Sequence, residues 1–356
     1  MGILDKLFLS FMASRSEKKG DESTGTYQAR CYYEEAIGYK RDLGGSYYDL
    51  LSLKEKIGKT YLEEARKKNE ADYIRIKNYK EAYSILKEAE SYLSQKAALE
   101  HCALDCNPET LNEYKNNFQS RLSSYHWISF LYDLVKIVKK QDKIELFGNI
   151  LLLEFAKAET YCSNSSIRNF IKKFELSEKA NADMYYYAAE NIKMYSLDKS
   201  NMYNTAAFCF KNIGNNKKWL ECLKKKYKYF LEEWDWNYLV DDNDITEITR
   251  LLGNDYLLEF FYDIIPYFFS DSDRITIQRS LNKQEYWVIF CEALLKRIDQ
   301  YGINSFGDKN TIFNIEEALR KRINLDKELG LKLGKTINLS EYGLNELKNS
   351  KDNLYD

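Results

Sequence analysis

The chain has 356 residues, of which 53 are basic and 55 acidic, and this near balance argues against a dedicated nucleic-acid-binding protein, because such proteins usually carry an excess of positive charge. Charged residues at 30% and hydrophobic residues at 44% exclude a disordered chain. No stretch approaches the roughly 18 uninterrupted apolar residues that a membrane-spanning helix needs. Only two prolines occur. Helix can therefore follow helix without interruption, and we predict an all-α fold.

The first twelve residues form a pattern of their own. Five apolar side chains recur there at the spacing that lines one face of a helix: Ile3, Leu4, Leu7, Phe8 and Phe11. We predict an amphipathic N-terminal docking helix over 1–12 and, because residues 13–25 are polar and flanked by glycine, a flexible linker after it.

An apolar face on a tether has to be buried somewhere. The leading expectation is that it packs on the rest of the chain or caps one end of it. The alternatives are a protein partner and, as the weakest of the three for so short a helix with few basic residues, a peripheral contact with a membrane interface.

From residue 26 onward, runs of helical periodicity alternate with turn signals. The predicted helices cover 26–42, 47–76, 79–99, 109–140 with a break near 123–124, 143–161, 166–174 and 177–196. A helical hairpin over 201–232 follows, and then helices over 244–253, 255–269, 271–281, 283–301 and 314–329, with a polar tail at 331–356.

Two segments combine small and large residues at helical spacing. In the first, Gly58 would let a neighbouring helix approach closely, Tyr61 would fill the space beside it, and a small–large–small stripe follows on the next helix at Ala82, Leu86 and Ala89. The second segment, the 201–232 hairpin, has the same ingredients: the small pair Ala206 and Ala207, the aromatic Phe210, a tight turn at 213–215, and a stripe of Trp219, Leu223, Tyr227 and Phe230.

These two segments resemble the helical hairpins of tetratricopeptide repeats, in the divergent form of a SNAP-like solenoid. The resemblance implies a right-handed superhelix of antiparallel helix hairpins over 26–330, with a soft subdivision near 196–243. Two departures stand out: Trp219 occupies a position where the repeat prefers alanine, and the long gap between Tyr61 and Tyr79 implies a first helix about three turns longer than usual. Stacked hairpins of this kind bind other molecules on their concave surface.

An acidic loop follows the second hairpin and is interleaved with aromatic residues. We single it out as a partner-binding hypothesis, because exposed aromatic anchors rimmed by carboxylates suit a basic peptide or protein face. Its residues are Trp234, Trp236, Tyr238, Asp241, Asp242 and Asp244. The competing interpretation, which we favour, is a tryptophan pair buried at a corner between helices, beside a solvated loop.

A lysine-rich segment gives an alternative function, a nucleic-acid-associated subunit of a larger complex. Its basic residues are interleaved with tyrosines, as in surfaces that bind single strands, and they are Lys217, Lys218, Lys224, Lys225 and Lys228. The plainer interpretation is that these lysines spread around the solvent side of a helix.

The sequence gives little support for a catalytic or metal-binding site. His101, Cys102 and Cys106 lie close together, but a structural zinc site commonly uses two separated ligand pairs, and no second pair is present. With two histidines in all, a nucleophile and its base are hard to assemble. We therefore expect no catalytic residues, no metal and no cofactor.

Seven cysteines without a framework spacing indicate a reducing compartment, and we expect a cytoplasmic protein. The function that the sequence favours is a non-catalytic scaffold or adaptor. It would bind a peptide or protein partner in a concave helical groove.

Overall fold

The computed structural model describes residues 2–119, 124–140, 143–159, 162–233, 241–268 and 284–301. All secondary-structure elements within these ranges are α-helices, as the composition predicts. The first eight are α1 (Ile3–Glu22), α2 (Thr26–Asp42), α3 (Tyr47–Ala65), α4 (Asp72–Glu88), α5 (Leu93–Asp105), α6 (Pro108–Gln119), α7 (Ser124–Lys140) and α8 (Ile144–Ala158). The others are α9 (Asn164–Lys172), α10 (Glu178–Asn191), α11 (Ser196–Asn212), α12 (Asn216–Glu233), α13 (Asp242–Leu252), α14 (Asn254–Phe268) and α15 (Gln284–Tyr301).

The chain divides into two compact units between residues 160 and 176. Unit 1 contains α1 to α8, and unit 2 contains nearly all of α9 and the helices from α10 to α15. This division lies earlier in the chain than the subdivision predicted near 196–243. The helices predicted over 271–281 and 314–329 and the polar tail lie outside the described residues.

Helices that follow one another in sequence pack against one another within each unit. In unit 1, α1 packs on α2, α2 on α3, α3 on α4 and α4 on α5, and in unit 2 the α10–α11 and α11–α12 pairs do the same. Such a succession is what a helical-repeat solenoid requires.

The contact between α3 and α4 depends on Gly58. A Cβ atom built on this residue would lie 2.5 Å from Leu86 Cγ, so only glycine lets the two helices come this close. Ala82 and Leu86 are fully buried on the facing helix, and Ala89 is buried one turn on. The predicted small–large–small stripe is confirmed.

The second hairpin also has the predicted contacts. Ala206, Ala207 and Phe210 on α11 are buried, as are Trp219 and Leu223 on α12. Between the two helices Gly214 adopts φ +72°, and the Asn215 N–H donates to the carbonyl of Phe210 at 2.9 Å. This is the six-to-one bond that ends many helices at a left-handed glycine.

Side-chain bonds between helices recur at a nearly constant sequence separation. In unit 1 three ion pairs join residues 34 positions apart, namely Arg30–Glu64, Lys54–Glu88 and Arg66–Glu100. In unit 2 the separation is 35 for Lys218–Asp183, Lys225–Glu190 and Lys224–Glu259. Arg30–Glu64 and Lys54–Glu88 join helices that directly follow one another, α2 with α3 and α3 with α4. Arg66–Glu100 and the three pairs of unit 2 join helices two apart, as equivalent positions do in consecutive helix pairs about 34 residues long.

Helix α1 is longer than predicted and occupies most of the segment assigned to a flexible linker. It runs from Ile3 to Glu22 without interruption. Three small residues in that segment, Ala13, Ser16 and Gly20, are buried, and α1 packs on α2. Small polar residues that suggest a mobile linker in sequence here form a close-packing stripe, and the linker prediction over 13–25 is wrong for its helical part.

The helix predicted over 47–76 is two helices. Helix α3 ends at Ala65, and α4 begins at Asp72 after a short turn without proline or glycine. The Arg75 guanidinium donates to the Ala65 carbonyl at 3.0 Å and satisfies an acceptor at the end of α3. The gap between Tyr61 and Tyr79 is therefore filled by a turn and by the start of α4, and the expectation of an extended first helix is wrong.

Gly58→Ala should destabilise unit 1, by about 1–3 kcal/mol, because the added methyl group overpacks the contact with Leu86. Gly38→Ala is the matched control: Gly38 lies within α2, and a Cβ there meets nothing within 4 Å. This control should stabilise the protein by about 0.5–1 kcal/mol through helix propensity. Urea unfolding followed by circular dichroism measures both, and equal effects of the two substitutions would contradict the close approach.

Candidate functional site

The acidic and aromatic loop is described only in part. Trp234, Trp236 and Tyr238 lie outside the described residues, as does the side chain of Asp242. Asp241 caps α13, since its carboxylate accepts from the Asn243 N–H at 2.9 Å. The prediction that this loop binds a partner therefore stays a prediction.

Asp244 in the same loop has a local role. Its carboxylate accepts hydrogen bonds from the hydroxyl of Tyr227 at 2.6 Å and from the Lys226 ammonium group at 2.8 Å. Burial, together with this nearby carboxylate, raises the pKa of the Tyr227 hydroxyl well above its ordinary value. The three side chains hold the start of α13 against α12, so Asp244 is already engaged.

The lysine-rich segment of α12 carries much less free positive charge than its sequence suggests. The Lys224 ammonium group lies 2.5 Å from the Glu259 carboxylate and 2.6 Å from that of Asp263, both on α14. Lys218 pairs with Asp183 at 2.7 Å. Lysines paired in this way are poorly suited to collect phosphates, because their charge is already compensated.

Lys225 and Lys228 on the same helix are also engaged. Lys225 bonds to Glu190 and to the Tyr186 hydroxyl on α10. Burial opposes its charge, but these hydrogen bonds outweigh burial and raise the pKa of Lys225. Lys228 lies over the ring of Tyr229, 5.6 Å from the centroid. Among the five lysines predicted for nucleic-acid binding, Lys217 is exposed and the other four are half-buried.

A hollow of about 290 Å³ opens on unit 2 beside α11. One face of α11 lines it with side chains at positions i, i+1, i+4 and i+7, which are Asn204, Thr205, Phe208 and Lys211. Arg168 from α9 and Trp219 and Leu223 from α12 contribute to the other walls. Asp244 of α13 completes the lining, so side chains from four helices converge on one concave surface.

The hollow combines an apolar anchor with polar and cationic groups. Phe208 is 65% exposed, which is unusual for phenylalanine on a helix packed at both sides. The Lys211 ammonium group pairs with Glu247 at 2.9 Å and lies 5.8 Å from the ring centroid of Trp219, whereas Arg168 is exposed at the rim. The arrangement can hold an apolar side chain beside a negative charge.

The sequence analysis missed this hollow. A signal was present: Phe208 lies on the otherwise polar stripe of α11 formed by Asn201, Asn204 and Asn212. A single exposed apolar residue is common on protein surfaces, so this pattern alone does not predict a site. Ala207 of the buried pair also lines the hollow, although its pattern predicts only helix packing.

His101 and its neighbouring cysteines belong to the core of unit 1. The imidazole is fully buried, its Nδ1 lies 2.7 Å from the Tyr114 hydroxyl, and its ring stacks on Tyr79. Burial lowers the pKa of His101 to about 4 and raises that of the Cys102 thiol well above its ordinary value. A neutral imidazole and a neutral thiol are poorly suited to nucleophilic catalysis.

Within the described ranges, no three His, Cys, Asp or Glu side chains come together as a metal site would require. No helix there combines the length and the apolar character needed to cross a bilayer.

Comparison of the chain with known protein families, curated proteins and solved structures finds no significant match. Its function has to be argued from the geometry alone.

The five apolar residues predicted to form the N-terminal docking face are exposed. Their exposed fractions range from 61% to 81%, and the described helices leave them uncovered. Helix α1 instead contacts α2 through the small residues of its second half. Packing of the apolar face on the rest of the chain, the leading expectation, does not occur on the described helices.

His101→Gln tests the buried imidazole. Because the folded-state pKa is about 4 and the unfolded value about 6.5, the unfolded chain binds the proton first. The free energy of unfolding should fall as the pH drops from 6.5 to 4, by up to about 3 kcal/mol. Chemical denaturation at several pH values should give a shallower dependence for His101→Gln than for the wild type. Parallel curves would contradict the assignment.

Proposed function

We propose that the chain is a non-catalytic adaptor with a divergent tetratricopeptide-like fold, a right-handed superhelix of antiparallel helix hairpins, and that it binds an acidic peptide segment of a protein partner in the hollow beside α11. The fold assignment is supported by the four ion pairs that join helices two apart at a separation of 34 or 35 residues, and by the two hairpin contacts at Gly58 and Ala206. Solenoids of this kind present concave surfaces to extended ligands.

The exposed ring of Phe208 carries the proposal for the binding site. It stands at the hollow with 65% of its surface accessible, and a rigid aromatic side chain can contribute a large contact area at a low cost in conformational entropy. Hot spots of binding are typically such anchors surrounded by polar groups. Phe208 would contact an apolar side chain of the bound segment.

The groups around Phe208 indicate the chemistry of the segment. The amide of Asn204 and the hydroxyl of Thr205 can pair with the main chain of an extended peptide. Arg168 places an exposed positive charge at the hollow, whereas Glu247 compensates the charge of Lys211. The carboxylate of Asp244 is compensated by Lys226 and Tyr227. A segment that carries an apolar residue next to acidic ones is therefore favoured over a basic one.

The nucleic-acid alternative has less support. Lys218, Lys224 and Lys225 form ion pairs with carboxylates of neighbouring helices, so binding to phosphates would require these pairs to break. The near balance of charge in the whole chain agrees with this argument.

Phe208→Ala should weaken peptide binding by about tenfold, since truncation of a hot-spot aromatic typically costs more than 1 kcal/mol. Fluorescence anisotropy with two sets of labelled peptides measures the affinity. One set combines apolar residues with aspartate and glutamate, and the other has lysine in place of the acidic residues. We expect binding of the acidic set and a loss of affinity with added salt.

Tyr256→Ala is the matched control, because Tyr256 is an exposed aromatic residue of unit 2 on α14 and does not line the hollow. It should bind peptides like the wild type. Equal binding of acidic and basic peptides, or an unchanged affinity in Phe208→Ala, would contradict the proposed site.

A further inference from the structure

The first half of α1 is exposed to solvent. Its apolar residues are exposed by 61–81%, and Asp5, Lys6 and Ser10 on the other sides of the same turns are exposed as well. Solvent therefore reaches most of the circumference of the helix there. Leu9 and Met12 are half-buried and full burial of α1 begins at Ala13, so about 9 Å of helix, from Ile3 to Phe8, is exposed on all sides.

The apolar side chains point away from the helix that holds α1. At 100° per residue, the five of them fall within an arc of about 140°, and the buried stripe of Ala13, Ser16 and Gly20 is centred about 180° from the middle of that arc. Helix α1 is thus attached by its small-residue face, with its apolar face outward.

Contacts on α2 and α3 fix this orientation. A Cβ atom at Gly20 would lie 2.4 Å from Cε1 of Tyr33, so the helix and the ring are in close contact. The Glu17 carboxylate accepts from Lys40 at 3.1 Å and from Lys56 at 3.0 Å, and Lys56 also pairs with Asp21 at 2.7 Å. The outward direction of the apolar face is therefore set by specific packing and ion pairs.

Positive charge continues the apolar face along the helix. Arg15, Lys18 and Lys19 are exposed, and the same arithmetic places them on the side of the apolar residues. Glu22 compensates Lys18 there at 3.6 Å, whereas the carboxylate of Glu17 is engaged by lysines of α2 and α3. Read from its N-terminus, the outer face of α1 is apolar for about two and a half turns and then basic.

We propose that the first half of α1 lies in the plane of a membrane that contains anionic lipids, with its apolar face in the interfacial layer. Interfacial helices bury such side chains about 5–10 Å into the boundary between headgroups and acyl chains, and the apolar face of α1 points away from α2. Arg15, Lys18 and Lys19 continue the same side of the helix, where anionic headgroups attract basic residues. One short helix with modest charge gives reversible attachment.

A second copy of the chain fits this face less well. Stable interfaces bury about 800 Å² on each partner, and two and a half turns of one helix supply less than that. A protein groove could accept the apolar tip, but the positive charge in line with it is accounted for directly by lipid headgroups.

Co-sedimentation of the full chain with vesicles tests the proposal. We expect binding to vesicles of phosphatidylcholine with phosphatidylserine, and at least tenfold weaker binding to phosphatidylcholine alone. Phe8→Ser combined with Phe11→Ser should lower the affinity for the mixed vesicles at least tenfold. Lys18→Gln combined with Lys19→Gln should lower it several-fold for the mixed vesicles and leave the residual binding to phosphatidylcholine unchanged.

The matched control is Tyr48→Ser combined with Tyr73→Ser, which removes two aromatic residues of unit 1 that are 80% and 74% exposed on other helices. It should bind like the wild type, and circular dichroism should show all variants equally folded. The proposal is overturned if no vesicle binds, if the control loses as much affinity as the Phe8 and Phe11 variant, or if light scattering shows that these phenylalanines instead hold a dimer that does not bind vesicles.

Discussion

The structure depends on how closely successive helices approach one another. At Gly58 and Gly20 the facing side chains leave no room for a Cβ atom, and at Ala82 and Ala206 a methyl group is fully buried. Helices that approach this closely also bring side chains one repeat apart within reach, as in the pairs Arg66–Glu100 and Lys225–Glu190. Packing and ion pairing thus enforce the same register.

That register decides which groups are left for other molecules. The lysines of α12 look like a basic strip in the sequence, but they form ion pairs with carboxylates of neighbouring helices, as Lys224 does with Glu259 and Asp263. The apolar side chains that remain exposed include Phe208 at the hollow of unit 2 and the apolar tip of α1. The proposed peptide site and the proposed membrane contact lie on separate units of the chain, and both rest on such apolar groups beside exposed basic side chains, Arg168 at the hollow and Arg15 and Lys19 on α1.

Local pattern was enough to predict the helical class, the glycine contact at Gly58 and the turn at Gly214, since these depend on residues close in sequence. It failed where packing against a distant helix decides the outcome. The segment after Phe11 has the composition of a linker, but it forms a helix because Gly20 packs against Tyr33 of α2. The end of α3 is fixed by Arg75 of the next helix. The hollow was missed for the same reason, because its walls come from four helices.

The most direct test of the stacking register is a charge swap between Arg66 and Glu100. The guanidinium forms two hydrogen bonds of 2.8 Å with this carboxylate, 34 residues along the chain. Arg66→Glu and Glu100→Arg should each lower the free energy of unfolding, and the double substitution should recover most of the loss, with a coupling of about 1 kcal/mol in urea denaturation. Strictly additive effects would contradict the account, because they would mean that the two side chains do not meet.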